Sequence, residues 1–89
     1  MNRYYVIFEG RVQGVGFRYF CQMTATNFNL SGWVRNLSNG MVDMEIQGNE
    51  EIIHQYLNTI NKGNYFIRVT NFSKKKIDLV PNEKKFVIK

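Results

Sequence analysis

The period of apolar positions changes repeatedly along this chain, and each change marks an element. Tyr4 to Glu9 is aromatic and β-branched and stops at Gly10, which predicts a strand carrying Tyr4, Val6 and Phe8 on one face and Tyr5 and Ile7 on the other, buried on both sides. From Phe17 the apolar residues recur at intervals of four and three, through Cys21, Ala25 and Phe28, the spacing of a helix that packs one face. Asn29 suits the left-handed residue that ends such a helix. Ser31 to Leu37 then reads as a second strand around Trp33 and Val34.

Asn39-Gly40 predicts a tight hairpin with a primed turn, since both residues accept positive φ. In the partner strand Val42, Met44 and Ile46 alternate with Asp43, Glu45 and Gln47, a half-buried pattern whose polar side faces water. Gly48 ends it. Asn49 then caps a helix with Glu50 and Glu51 in the first turn, and Ile52, Ile53, Tyr56, Leu57 and Ile60 form its buried stripe. After Lys62-Gly63, Tyr65 to Phe72 predicts a fourth strand. The lysine run and Pro81 interrupt it, and Phe86-Val87-Ile88 makes a short last strand. The order β-α-β-β-α-β predicts an α+β, ferredoxin-like split βαβ sandwich: an antiparallel sheet with two helices on one face.

Eighty-nine residues, 44% hydrophobic and 15% aromatic, suffice for one core, so residues 1–89 are expected to form a single domain. The single cysteine, Cys21, has no intrachain partner for a disulfide, the N-terminus lacks the apolar stretch of a signal peptide, and no run approaches the roughly 18 apolar residues of a membrane span. A cytoplasmic protein with no membrane association is expected. The net charge of +5 is unevenly placed: Met1 to Asn61 is nearly neutral, whereas Lys62 to Lys89 carries eight Arg or Lys against two Asp or Glu. That excess attracts anions, either nucleic acid or a small phosphorylated molecule, and lysines also keep a strand edge from pairing.

Most candidate chemistry fails on residue inventory. Tyr19 stands where a dinucleotide fingerprint needs its third glycine, and no Gly-Lys-Ser/Thr exists for a nucleotide P-loop. Cys21 and His54 are too few for zinc, so no metal and no cofactor is expected, and Glu50 and Glu51 are adjacent and splayed on a helix. What remains is Gly10-Arg11-Val12-Gln13-Gly14-Val15-Gly16-Phe17-Arg18, running from a strand into a helix, and the polar residue Asn36 at the end of the second strand. A glycine-containing strand-to-helix turn can be purely structural. Arg18, however, sits where the helix dipole disfavours a cation, and an anion between its guanidinium and the free N–H groups turns that repulsion into a two-sided clamp. Val12 to Arg18 is therefore the candidate phosphate-binding segment.

These residues, with Ala25, Gly32-Trp33-Val34-Arg35-Asn36 and Asn39-Gly40, closely resemble the acylphosphatase family. The resemblance is continuous from Gly10 to Val42 and loose over Lys62 to Pro81. It implies a ferredoxin-like fold and metal-independent hydrolysis of small acyl phosphates. In the family, the arginine aligning with Arg18 holds the phosphate and the asparagine aligning with Asn36 positions the attacking water. Inorganic phosphate is then both product and competitive ligand, and a monomer is expected. Asn29 replaces a usual glycine, Asn39 a usual aspartate, and Lys89 a frequent tyrosine, and none of these removes a reacting group.

Two other readings stay open. RNA binding fits the fold, the basic C-terminal region and a faint echo of an aromatic RNA motif in Gly14 to Phe20. That motif belongs on a central strand, however, whereas here it falls in a turn and a first helical turn, so no nucleic-acid partner is expected. The fold also serves as a module of larger carbamoyl-transfer enzymes, for which a chain of this length is short.

Overall fold

A computed structural model describes residues 1–89. Strand β1 (Asn2–Arg11) leads through the 12–16 loop into helix α1 (Phe17–Asn27). Strands β2 (Ser31–Asn36) and β3 (Val42–Gly48) form a hairpin, and helix α2 (Glu50–Lys62), β4 (Arg68–Ile77) and β5 (Phe86–Ile88) complete the chain. The strand order is β4-β1-β3-β2-β5. Neighbouring pairs among the first four are antiparallel, as expected, while β5 runs parallel to β2 and makes the sheet mixed. Both helices pack on the same sheet and on each other. No helix is long and apolar enough to cross a membrane.

The core forms where the strand and helix periods coincide. Val6 and Phe8 of β1, Val34 of β2, and Met44 and Ile46 of β3 meet Phe17, Cys21 and Ala25 of α1 and Ile53, Tyr56, Leu57 and Ile60 of α2. Tyr56 brings a hydroxyl into this layer, and it donates to the Cys21 carbonyl at 3.0 Å. The buried phenol is thus satisfied, and the bond ties one helix to the other.

Both helices end as their sequences predict. Asn29, at φ 57°, follows α1 in the left-handed conformation. There Asn29 N–H donates to Thr26 and Leu30 N–H to Ala25, the paired bonds of a Schellman motif. At α2 the Asn49 side chain accepts from the N–H groups of Glu51 and Ile52 at 2.9 and 3.2 Å. Asn49→Ala is expected to cost about 1 kcal/mol, the usual worth of such a cap. A urea titration checks it: the midpoint falls while the slope holds.

Four expectations need correction. Strand β4 starts at Arg68 rather than Tyr65 and runs through the lysines to Ile77. Its extent is set by backbone pairing with the long β1, from Arg11↔Arg68 to Arg3↔Ile77, and at an exposed edge alternating lysines are compatible with a strand. The preceding residues turn instead, where the Asn64 side chain accepts from Phe66 and Ile67 N–H.

The hairpin is not the tight primed kind. Gly40 has φ 90° and Asn39 does not have positive φ. Leu37 N–H donates to Met41 O and Gly40 N–H to Leu37 O, a turn followed by a left-handed glycine.

The polar side of β3 does not face water: Asp43 and Gln47 are 1% and 4% exposed. Tyr5 and Arg35 bond Asp43, and Gln47 exchanges hydrogen bonds with the Val80 backbone. The 78–85 segment thus covers part of the open face, held by a buried Arg3 that bridges Glu45 and Glu83 at 2.7 Å each. Finally, β1 is not buried throughout on either face: beside the buried Val6 and Phe8, Tyr4 is half-buried, and on the other face Arg3 is buried while Tyr5 and Ile7 are half-buried.

Candidate active site

The expected phosphate segment begins where β1 stops pairing. The register of β1 with β4 slips between Glu9 and Gly10, a bulge of the kind that redirects a strand end. The chain then passes through Gly14 (φ 71°) to Gly16 (φ 79°), which caps α1 in the left-handed conformation with no side-chain cap. A glycine takes these angles without Cβ strain. Neither Cβ position has a neighbour within 4 Å, so it is conformation and not crowding that selects glycine at both.

The consequence is a row of donors. The N–H groups from Gln13 to Tyr19 donate to no backbone carbonyl and no side chain. The last of them belong to the first turn of α1, where N–H groups have no intrahelical partner and the dipole is positive. Arg18 adds a half-buried guanidinium that enters no ion pair.

Asn36, the last residue of β2, reaches the same place. One surface cavity of about 190 Å³ is lined by Val12, Gly14, Gly16, Phe17 and Arg18 on the loop side and by Asn36 across from them. The Asn36 side-chain oxygen is buried and accepts no hydrogen bond within the protein. Around one cavity the protein thus sets unpartnered donors, one unpartnered cation and one unpartnered acceptor. Donors and a cation suit an anion; a lone amide oxygen suits something that carries a hydrogen.

Two of the expected segment's side chains lie elsewhere. Val15 packs against the core, and Gln13 turns toward the hairpin, where its amide nitrogen donates to Leu37 O at 2.7 Å and Met41 O at 2.8 Å. Their backbone N–H groups remain in the unpartnered row.

Two residues that sequence reasoning missed complete the lining. They are Tyr19, 61% exposed, and Ile88, 38% exposed. Tyr19 carries a legible signal, since it follows Arg18 in the first turn. Ile88 carries none, because it arrives through the pairing of β5 with β2. Lys89, by contrast, hydrogen-bonds Val34 O and lays its ammonium 4.2 Å from the Trp33 ring centre, so the frequent tyrosine's replacement lies on the open face.

The other nucleophiles and ligands are placed unhelpfully. Cys21 is buried, and burial pushes its thiol well above the usual range, which keeps it protonated and inert. His54 is exposed and pairs with Glu50 and with Lys74 of β4, away from the cavity.

Known proteins share both the sequence and the architecture. The family profile described as Acylphosphatase matches residues 4–88. An acylphosphatase of Clostridium beijerinckii is 47% identical over 89 residues, covering 100% of this chain and 99% of the relative. One of Geobacillus thermodenitrificans is 48% identical over 88 residues, covering 99% and 94%. The crystal structure of acylphosphatase from Bacillus subtilis superposes with a TM-score of 0.92 at 38% identity, covering 99% of this chain and 98% of that one.

Proposed function

The chain belongs to the acylphosphatase family, and from that premise we propose how its residues divide the hydrolysis of an acyl phosphate. The phosphoryl group sits in the cradle of N–H groups from Val12 to Arg18, with the Arg18 guanidinium as a bidentate clamp on two of its oxygens. The side-chain oxygen of Asn36 accepts a hydrogen bond from the attacking water and holds it in line. The water oxygen bonds to phosphorus, the bond from phosphorus to the acyl oxygen breaks, and its electron pair leaves as a carboxylate. The water proton passes to the phosphate. One observation carries this reading: a single cavity collects the unpartnered donors of the loop, the unpaired Arg18 and the unpartnered oxygen of Asn36.

The leaving group explains what the cavity does without. A carboxylate's conjugate acid has a pKa near ~4, so no general acid is needed at neutral pH. Phosphoryl transfer rests on positioning and on neutralising charge. A guanidinium and a row of amide dipoles supply both, so we infer that the reaction runs without a metal. Tyr19 and Ile88 give the cavity an apolar rim on which the acyl group rests. A cavity already furnished with donors, cation and acceptor needs no partner to complete it, so we infer a monomer, and the single Cys21 suits a reducing, cytoplasmic setting.

Phosphate release from acetyl, carbamoyl and benzoyl phosphate, measured in EDTA beside an ordinary phosphomonoester, tests this. The acyl phosphates are expected to turn over undiminished in chelator, with inorganic phosphate competing. The monoester, which needs a general acid, is expected to be slower by at least about 10²-fold. Abolition by EDTA, or equal rates on both substrate classes, contradicts the mechanism.

A further inference from the structure

Gln13 belongs to the cradle by its backbone, but its side chain does something else. Its amide nitrogen has two protons, and both are given to one turn: to Leu37 O at 2.7 Å and to Met41 O at 2.8 Å. Leu37 is bonded directly to Asn36, and Leu37 and Met41 are the two ends of the hairpin connection, joined by Leu37 N–H to Met41 O at 2.9 Å. The sheet does not bring these parts together directly. In the order β4-β1-β3-β2-β5, β3 separates β1, which feeds the cradle, from β2, which ends in Asn36. Gln13 spans that gap with one side chain.

We propose that Gln13 is a positioning residue for the attacking water: it tethers the β2–β3 turn to the cradle and so fixes Asn36 relative to the bound phosphoryl group. The inference rests on the reading of Asn36 given above and extends it, because it makes the distance between water and phosphorus depend on a residue that touches neither. The two ends of the reaction are held by one chain of contacts, from cradle through Gln13 to Leu37 to Asn36. Loss of the tether leaves the cradle's own N–H groups and Arg18 in place. Phosphate affinity therefore survives while turnover falls.

Gln13→Met keeps the side chain's length and removes both donors. Benzoyl phosphate kinetics and inhibition by inorganic phosphate are measured for it in the native background and in Asn36→Ala, with circular dichroism confirming the fold. A drop of about 10-fold in kcat is expected, since misplacements of an ångström cost up to about 10²-fold. The inhibition constant for phosphate is expected to move less than about twofold, and in the Asn36→Ala background Gln13→Met is expected to cost nothing further, as coupled residues show non-additive effects.

Gln13→Glu supplies a second readout. Ionised, it faces two carbonyl oxygens with no proton to give, and protonated it regains one donor. Its kcat relative to the native chain is therefore expected to rise as pH falls toward 5, and a flat ratio counts against the tether. Unchanged kcat in Gln13→Met, equal losses in both backgrounds, or a phosphate constant that worsens in step with kcat overturns the proposal. Full activity of Asn36→Ala by itself removes the reading beneath it, and is seen separately.

Discussion

Arg18→Ala is expected to lower kcat/KM on acyl phosphates by at least about 10²- to 10³-fold, the range seen when one preorganised charge-stabilising donor is removed. The loss should appear in both constants, because in the proposed mechanism the guanidinium grips the phosphoryl group in the ground state and neutralises its charge in the transition state. Stability should move the other way. Arg18 has no ion-pair partner in the protein, so its removal strands no buried charge. It also stands in the first turn of α1, whose first turn contains no acidic residue, where the dipole repels a cation by roughly 0.3–1 kcal/mol.

Alanine is the better helix former as well. The variant is therefore expected to melt at the same temperature as the native chain or slightly above it, a trade of stability for function at a site. Arg18→Lys keeps the charge but not the planar fork and should recover only a small part of the activity. Kinetics with benzoyl phosphate and a thermal melt on the same preparations check both halves. Retained turnover removes Arg18 from the mechanism, and a large fall in melting temperature shows that it holds up the fold.

The site could be read from the sequence to the degree that its parts are local. Gly14, Gly16 and Arg18 lie in one short turn, and their chemistry follows from positive φ and a helix N-terminus without knowledge of the rest. By its own residues Asn36 was legible only as a polar residue at a strand end, and its role with the water came from the family resemblance alone. What brings it opposite the loop is the register Phe8↔Val42 and Asn36↔Val42, shared through β3. Ile88 and the Gln13 tether depend on pairings between residues far apart in the chain, for which no local period exists. The misplaced start of β4 has the same origin. Arg68 to Ile77 has no clean alternation because it is an edge strand with little to bury, and the partner β1, rather than its own residues, sets its ends. The covered polar side of β3 was hidden because a buried ion cluster around Arg3 has the same sequence pattern as a solvated face.

Asn36→Ala is expected to lower kcat by roughly 10²- to 10³-fold while the inhibition constant for inorganic phosphate shifts less than about twofold. The split follows from the division of labour in the cavity. In the proposed mechanism phosphate is held by donors, and Asn36, whose oxygen has no partner in the protein, contributes an acceptor that the product does not need. No protein group hydrogen-bonds that oxygen, so its removal breaks no bond of the fold and should leave the melting temperature unchanged.

Asn36→Asp distinguishes orientation from charge. The carboxylate keeps an acceptor for water but sets a negative charge across the cavity from the phosphoryl oxygens. Phosphate inhibition should weaken as well, and raised salt should restore part of it as the repulsion between the two anions is screened. If Asn36→Ala instead weakened phosphate binding as much as turnover, the residue would belong to the anion clamp, and the water would have to be held by some other group of the cavity. The two variants measured together thus assign the oxygen to one reactant or the other.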